Sequence, residues 1–437
     1  MSKVVFLEET RILTERDVSL ERLPSVQPLS YEAYSLKGGY LGLSKAMDTL
    51  GPSGVRDAVK AAGLRGRGGA GFPTWKKWDM VMQQGEKKRY LCCNAAEDEP
   101  GTFKDRYLLR TNPHQLIEGV LIAAFTVGAD EAYLFINCRY TEELVFMAEA
   151  LRVSKTAGHW GLGSASGIVL KVCESPGSYV AGEETALLEV IEGREAKPRQ
   201  KPPYYPTMHG LYGKPTVVNN AESLSNVPFI VREGAEAFQS LGSPSSPGTM
   251  IFTLTGDVNR PGLYERPLGT SLRTLISDCG GGIKDGLVLK AVFPGGPSVP
   301  VVPASKADLV LDFDTLKAAG TGLGTGAVIV MSEESCMVQV AIQYARFFAN
   351  ESCGQCPPCS LGTVHLSEIL EKIEAGDGRE SDITHLEQSC EMVKGRGQCF
   401  LLTGAAIAVE SILSHFRHEF EAHVTAGGCP LIVQPVH

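Results

Sequence analysis

Apolar positions recur with two periods along this chain. Val55 and Val59 stand four apart, which predicts a short helix over 53–62 with a glycine-rich loop at 63–71 behind it. From about 75 to 230, strand-like runs at 89–94, 132–137 and 167–173 alternate with helical patterns at 115–128, 141–152, 183–192 and 219–232. Such alternation predicts an α/β unit with a mainly parallel sheet. The breaker cluster SPSSPG at 243–248 marks a boundary. Beyond it come strands at 250–255, 288–293 and 327–331, a Pro/Gly turn at 257–264 and a short helix at 270–278, the makings of a small α+β domain. From about 335 to 419 the pattern is helical, broken by a cysteine loop and by 376–378. The expected organisation is an N-terminal segment with the glycine loop (1–74), an α/β domain (75–246), a small α+β domain (247–333) and a helical domain (334–437).

Composition narrows the function. Hydrophobic residues make up 43% and charged residues 21%, the balance of a soluble globular protein. With 41 basic against 50 acidic side chains, the formal charge of -9 argues against nucleic acid as the main partner, because phosphate binding needs a basic face. The first twenty residues carry Glu8, Glu9, Arg11, Glu15, Arg16 and Asp17, so no apolar leader is expected. The apolar stretches around 115–127 and 400–409 are too short or too interrupted to span a bilayer. The expectation is a cytoplasmic protein that reaches a membrane only through partners.

Twelve cysteines in such a chain point to thiols and metal ligands rather than disulfides. Cys92, Cys93, Cys138, Cys173, Cys279 and Cys336 lie in apolar contexts and read as small buried hydrophobes. Cys390 reads as helical packing and Cys429 as a free thiol. Cys353, Cys356 and Cys359 differ: they form a C-x2-C-x2-C loop, with Cys399 further on. A cubane cluster needs four thiolates, and such a loop can wrap three irons while the fourth ligand comes from elsewhere. Gly354 permits a turn, and Pro357 and Pro358 are expected to keep the loop from becoming helix. The rival, structural zinc, usually pairs two C-x2-C knuckles, and here the second half is a single cysteine.

The run from Gly66 to Gly71 fits G-x-G-x-x-G, yet a helix precedes it where a dinucleotide fold would place a strand. With Arg65, Arg67 and Lys77 it still makes an anion cradle. Glu97, Asp98 and Glu99 follow a strand directly, where α/β proteins bind ligands. Glu183 and Glu184 open a helical pattern, which suits the helix dipole. Asn219 and Asn220 fit either a ligand contact or a helix cap.

Together, GLRGRGGAGFPT at 63–74, EPGTFKDR at 99–106, GEETAL at 182–187, GKPT at 213–216 with Asn219 and Asn220, and ESCGQCPPC at 351–359 resemble the FMN- and NADH-binding flavoprotein of respiratory complex I, the family of the NADH-quinone oxidoreductase F subunit. The blocks occur in the family's order across nearly the whole chain. The resemblance implies a Rossmann-like FMN domain, a ubiquitin-like β-grasp domain near 247–333 and a C-terminal helical bundle carrying a [4Fe–4S] cluster. It implies hydride transfer from NADH to FMN, then single electrons through the cluster to partner subunits and ultimately quinone. By position, Gly66, Arg67, Gly68 and Lys77 would hold the ribityl phosphate. Asn94, Gly182, Asn219 and Asn220 would line the flavin, with Glu97 and Glu183 beside it. Phe72 would stack on NADH, with Glu99, Tyr179, Glu184, Lys201 and Tyr204 around it. Glu99 and Glu184 would orient the nicotinamide, and no general base is needed because hydride passes directly to the flavin. Cys353, Cys356, Cys359 and Cys399 would hold the cluster. The implied partners are a thioredoxin-like [2Fe–2S] protein and a large iron–sulfur protein of the same complex.

The diaphorase component of a soluble NAD-linked hydrogenase or formate dehydrogenase shares this module and is the alternative. A non-catalytic β-grasp scaffold with a structural metal is a reading of another class, which flavin absorption would separate. The chain also departs from the family: Ala96 stands for a usual Asp, Ala181 for a usual Cys, Met80 for an aromatic, and Ser360 for the Arg after the third thiol. The stretch around Tyr204 and Tyr205 is one residue longer than usual.

Overall fold

The structure is a computed structural model that describes residue 12, the backbone of 17–19, and residues 26–431 except 165. Strand β1 (Asp17–Ser19) belongs to a second sheet described below. The first sheet holds β2 (Tyr90–Ala95), β3 (Glu131–Asn137), β4 (Val169–Ser175) and β5 (Thr216–Asn220), all parallel, in the order β4–β3–β2–β5. Chain order therefore reverses between β2 and β5, whose ends meet with Asn94 opposite Asn220. A crevice at such a reversal is where open α/β sheets bind ligands.

These strands are nearly continuous apolar runs because both faces are covered. Leu91, Cys93, Leu134 and Ile136 face a core shared with Val55, Val59, Trp78 and Leu121. Those come from helices α1 (Gly51–Ala62), α2 (Thr74–Met82) and α3 (Pro113–Val127). Thus α1, from the N-terminal segment, packs into the α/β core. Cys92, Tyr133, Phe135 and Val218 face the other way, against Leu187 and Leu188 of α4 (Glu184–Ile191). The helix expected over 219–232 is met from 221 on, by Ala221–Ser225 and Val227–Glu233, but 216–220 is the fourth strand. Its side chains are buried through Asn219, and Asn220 then caps a short helix, its Oδ1 accepting from the Glu222 N–H at 3.0 Å. Five residues leave too little periodicity to separate a buried strand from a helix start.

At the breaker cluster the chain makes a small hairpin, β6 (Gly242–Ser243) with β7 (Ser246–Pro247). The second sheet follows: β8 (Thr249–Gly256), β9 (Gly262–Pro267), β10 (Leu289–Phe293), β11 (Val302–Pro303) and β12 (Ala327–Ser332). Its order is β1–β9–β8–β12–β10–β11, with β8 and β12 parallel and the other pairs antiparallel. Met250, Phe252, Leu254, Val328 and Val330 build its own core with Leu272 and Leu316.

The last unit packs α5 (Met337–Asn350), α6 (Pro357–Glu374), α7 (Glu380–Val393) and α8 (Leu401–Ala426) around one apolar core. Pro357 and Pro358 do not keep the loop out of helix as expected; they begin α6. The first turn needs no N–H donors of its own, so proline is tolerated there. Among the described residues, no helix is long and apolar enough to cross a membrane.

Candidate active site and thiol cavity

The crevice between β2 and β5 opens into a cleft of about 230 Å³. All three units wall it. Asn94, Glu97, Asp98, Glu99 and Asn220 come from the strand ends, Tyr179, Gly182 and Glu183 from the approach to α4, Thr325 from the second-sheet domain, and Cys399, Phe400 and Leu401 from the bundle. Gly68 brings the glycine loop to the same wall. A Cβ there would stand 2.9 Å from Asn220 Cβ, so the loop lies on that strand end only because the side chain is missing. A Cβ at Gly182 would meet nothing within 4 Å, which leaves its backbone open to a flat ligand.

The acids here are individually tied. Glu97 accepts from the Asp105 and Arg106 N–H groups, both at 2.8 Å, yet burial and the nearby Asp105 push its carboxyl up to about 8. Ser298 Oγ donates to Glu99 Oε1 at 2.7 Å and lies 3.0 Å from the Tyr179 hydroxyl, which stitches the cleft to the second domain. Burial raises the Glu99 carboxyl. Asp98 Oδ1 accepts from Asn137 Nδ2 at 2.8 Å, while its Oδ2 is buried with no partner. Thr325 Oγ1 is also buried and unpartnered. Buried polar atoms nearly always find partners, so two orphans in residues lining one cleft fit a polar ligand.

The cations sit differently from the expectation. Lys104, given no role from sequence, lines the cleft with Nζ 2.7 Å from Asp105 Oδ1, 3.0 Å from Glu222 Oε2 and 3.4 Å from Asn220 Oδ1. Burial pulls its ammonium down, but Asp105 and Glu222 outweigh that and raise it. Arg67 is fully buried and donates to the Arg65 and Thr249 carbonyls at 3.0 and 2.9 Å. Arg65 pairs with Asp314 at 3.0 Å and lies over the Phe313 ring. Both arginines thus bolt the glycine loop to the second domain instead of pointing into the cleft. Local glycines and a cationic run look like a cradle in the sequence; the packing partner, distant along the chain, redirects the charge.

Lys77 Nζ donates to Glu184 Oε2 at 2.9 Å, and Lys201 Nζ reaches Glu183 Oε1 at 2.7 Å and Glu184 Oε1 at 3.2 Å. Burial would raise the Glu184 carboxyl, but the two lysines hold it below its ordinary value. Glu183 also caps α4, accepting from the Thr185 and Ala186 N–H groups at 2.8 and 2.9 Å. Asn219 accepts from Trp78 Nε1 at 2.8 Å and so faces the helix layer. Gly66 packs at the Phe72 carbonyl. Phe72 and Tyr204 are partly exposed and lie outside the cleft lining.

Cys353, Cys356, Cys359 and Cys399 line a second, smaller cavity together with Gln355, Pro198, Val180 and Leu401. Gln355 Nε2 donates to the Pro198 carbonyl at 2.8 Å, and the Tyr179 N–H donates to Glu351 Oε2 at 2.8 Å, so the cysteine loop is pinned to the α/β domain. Among the described residues, the group of ligand atoms close enough to share one ion, within 4.8 Å, does not include these thiols. Three thiols from one C-x2-C-x2-C loop and a fourth from a distant segment are the donor set of a [4Fe–4S] cluster, and here they meet at one cavity. Val180, Cys399 and Leu401 line both cavities.

Cys390 is buried in the bundle core, as expected, while Cys138 and Cys173 are only half-buried.

Comparison with known proteins agrees with this geometry. The Nuo51 FMN-binding domain model matches residues 59–229, the SLBB domain 251–302, and the NADH-ubiquinone oxidoreductase-F iron-sulfur binding region 339–423. The chain is 44% identical over 400 residues to an NADH-quinone oxidoreductase F subunit of Rhizobium meliloti, the one numbered 2 there, covering 91% of this chain and 95% of that one. It is 40% identical over 429 residues to the corresponding F subunit of Salmonella typhimurium, covering 97% and 95%. Its fold is similar to that in a crystal structure of an NAD+-reducing [NiFe]-hydrogenase in the H2-reduced state, with a TM-score of 0.81 and 35% identity over 95% of this chain and 68% of that one. Sequence, fold and site agree, and the chain belongs to the family of the NADH-quinone oxidoreductase F subunit, with its FMN-binding and [4Fe–4S]-binding domains.

Proposed function

We propose that this chain takes hydride from NADH at the cleft and passes the electrons singly through the four-thiol cavity to partner subunits. FMN bound in the cleft supplies a two-electron acceptor that can release electrons one at a time, and a [4Fe–4S] cluster supplies the one-electron relay. The observation that carries the reading is the shared wall: Cys399 and Leu401 line both the polar cleft and the thiol cavity.

The residues act by position. Gly68, Asn94, Gly182 and Asn220 form the open rim that would hold the flavin. Lys104 supplies the cleft's positive charge, while Arg67 acts from behind by fixing the loop. Glu99 and Tyr179, tied through Ser298, and Glu184, tied through Lys77 and Lys201, orient the nucleotide. Cys353, Cys356, Cys359 and Cys399 would hold the cluster. Anaerobically purified protein should show flavin absorption that NADH bleaches; absent flavin bands, or bands that NADH leaves unchanged, defeat the reading.

The acceptors are a thioredoxin-like [2Fe–2S] protein and a large iron–sulfur protein, which carry the electrons toward quinone at the inner face of the cell membrane. The names of the NADH-quinone oxidoreductase relatives, and the high coverage on both sides, support this. The likeness to the NAD+-reducing [NiFe]-hydrogenase favours a second reading, a soluble diaphorase. Affinity purification of the tagged chain separates them: quinone-reductase partners support the first reading, and hydrogenase partners the second.

A further inference from the structure

The bundle has two ends, and the cysteine cavity occupies one. Cys353, Cys356 and Cys359 lie where α5 gives way to α6, and Cys399 lies just before α8. The other end gathers Cys336, which caps α5, Glu374 from the last turn of α6, His423 from the last turn of α8, and Cys429 from the segment after it. A 14-residue helix such as α5 is about 20 Å long, so the two ends are separate.

One ligand atom from each of these four residues lies within 4.8 Å of the others. The partners orient them. His423 Nδ1 lies 2.6 Å from the Glu419 carbonyl oxygen, which can only accept, so Nδ1 carries a proton and Nε2 faces the group. His423 Nε2 is 3.4 Å from Cys336 Sγ and 3.2 Å from Glu374 Oε2. Gln339 Nε2 donates to Glu374 Oε1 at 2.9 Å and steadies the carboxylate, while Oε2 is buried with no hydrogen bond. The Gln339 N–H points at Cys336 Sγ from 3.5 Å at the helix start and fixes the sulfur toward the group. Two sulfurs, a ring nitrogen and a carboxylate oxygen thus converge on one point. Bond lengths of about 2.0–2.3 Å to a tetrahedral zinc ion put neighbouring ligand atoms about 3.3–3.8 Å apart, close to both of these separations.

We propose that Cys336, Glu374, His423 and Cys429 bind one zinc ion, a closed structural site distinct from the iron–sulfur cluster. Mixed thiolate and imidazole donors suit zinc, four protein ligands leave no open position, and the Nδ1 bond to a backbone carbonyl is the outer support such histidines carry. The ion would clasp the starts and ends of three bundle helices and the segment behind α8. Two cysteines that read from sequence as a buried hydrophobe and a free thiol thus become ligands.

The test is elemental analysis of the full chain, purified anaerobically from zinc-replete cells. The expected result is one zinc per chain in addition to the cluster iron. His423→Gln and Cys429→Ser should each lose that zinc while flavin and iron contents stay at wild-type levels. Should either variant fail to fold, the wild-type protein decides: a mercurial thiol reagent should release one equivalent of zinc to a chromogenic chelator, and alkylation of Cys336 and Cys429 should rise when the metal is removed. Wild-type protein without zinc, a Cys336–Cys429 disulfide, or zinc undiminished in folded His423→Gln would overturn the assignment.

Discussion

The cleft and the thiol cavity share a wall but are assembled by opposite means. The cavity takes three of its four thiols from seven consecutive residues, so local spacing builds it. The cleft draws on residues from Gly68 to Leu401, brought together only when the parallel sheet reverses its order and the second sheet docks on it. Local assembly tolerates change elsewhere, whereas a site built from three units depends on every interface between them. Cys399 and Leu401 bridge the two designs.

The largest effect should come from breaking the cleft at its closest approach. Gly68→Ala sets a Cβ 2.9 Å from Asn220 Cβ, an overpacking cost of about 1–3 kcal/mol. Flavin retention should weaken roughly ten- to hundredfold, with cluster iron unchanged. Gly85→Ala, where a Cβ meets nothing within 4 Å, is the control. Flavin-to-protein and iron-to-protein ratios after gel filtration measure both; equal losses of flavin and iron would show that the two sites are not built independently.

Donor choice tests the cleft's charge. Glu97, Asp98, Glu99 and Glu183 line it, and a 2′-phosphate would add negative charge beside them. NADPH should bleach the flavin with kcat/KM lower by roughly tenfold or more. Equal rates with both nucleotides would remove those acids from nucleotide recognition.

On the cavity side, Ser360 sits in the first turn of α6, one residue after Cys359, where the family usually carries arginine. Ser360→Arg restores a positive charge and should raise the cluster potential by on the order of tens of millivolts. An EPR-monitored redox titration reads it, and an unchanged or lower potential contradicts the argument.

The smallest effect concerns Glu97. Its folded-state carboxyl is held near 8 against an ordinary 4.5, so the folded protein keeps a proton that the unfolded chain releases. Its contribution is most favourable below pH about 4.5 and is lost as pH rises toward about 8. Flavin-free Glu97→Gln should therefore lose less melting temperature than wild type between pH 5 and 8, and parallel pH profiles would refute the assigned shift.

Legibility in the sequence follows the same division. The cysteine loop, the alternating strands and helices and the bundle can be read because each is set by residues within a turn or two. Strand β5 escapes such a reading because five buried residues run into a capped helix. Pro357 and Pro358 look like helix breakers, yet at a helix start the missing N–H costs nothing. Arg67 looks like a phosphate ligand because nothing nearby in sequence reveals the Thr249 carbonyl it meets. Lys104 and Thr325 reach the cleft only through tertiary packing. Ala96 and Ala181, where the family usually has Asp and Cys, are fully buried in one small core beneath the cleft residues, so this chain packs them as hydrophobes.

The shared wall is the central claim, and one anaerobic titration addresses it directly. NADH is added stepwise to wild type and to Cys399→Ser while flavin absorbance and the low-temperature EPR signal of a reduced [4Fe–4S] cluster are recorded. In wild type, flavin bleaching and the cluster signal should grow together. In Cys399→Ser, bleaching should persist while the cluster signal disappears, and Cys390→Ser should behave as wild type. A cluster signal retained in Cys399→Ser but abolished in Cys390→Ser would contradict the ligand assignment and, with it, the wall that joins the two sites.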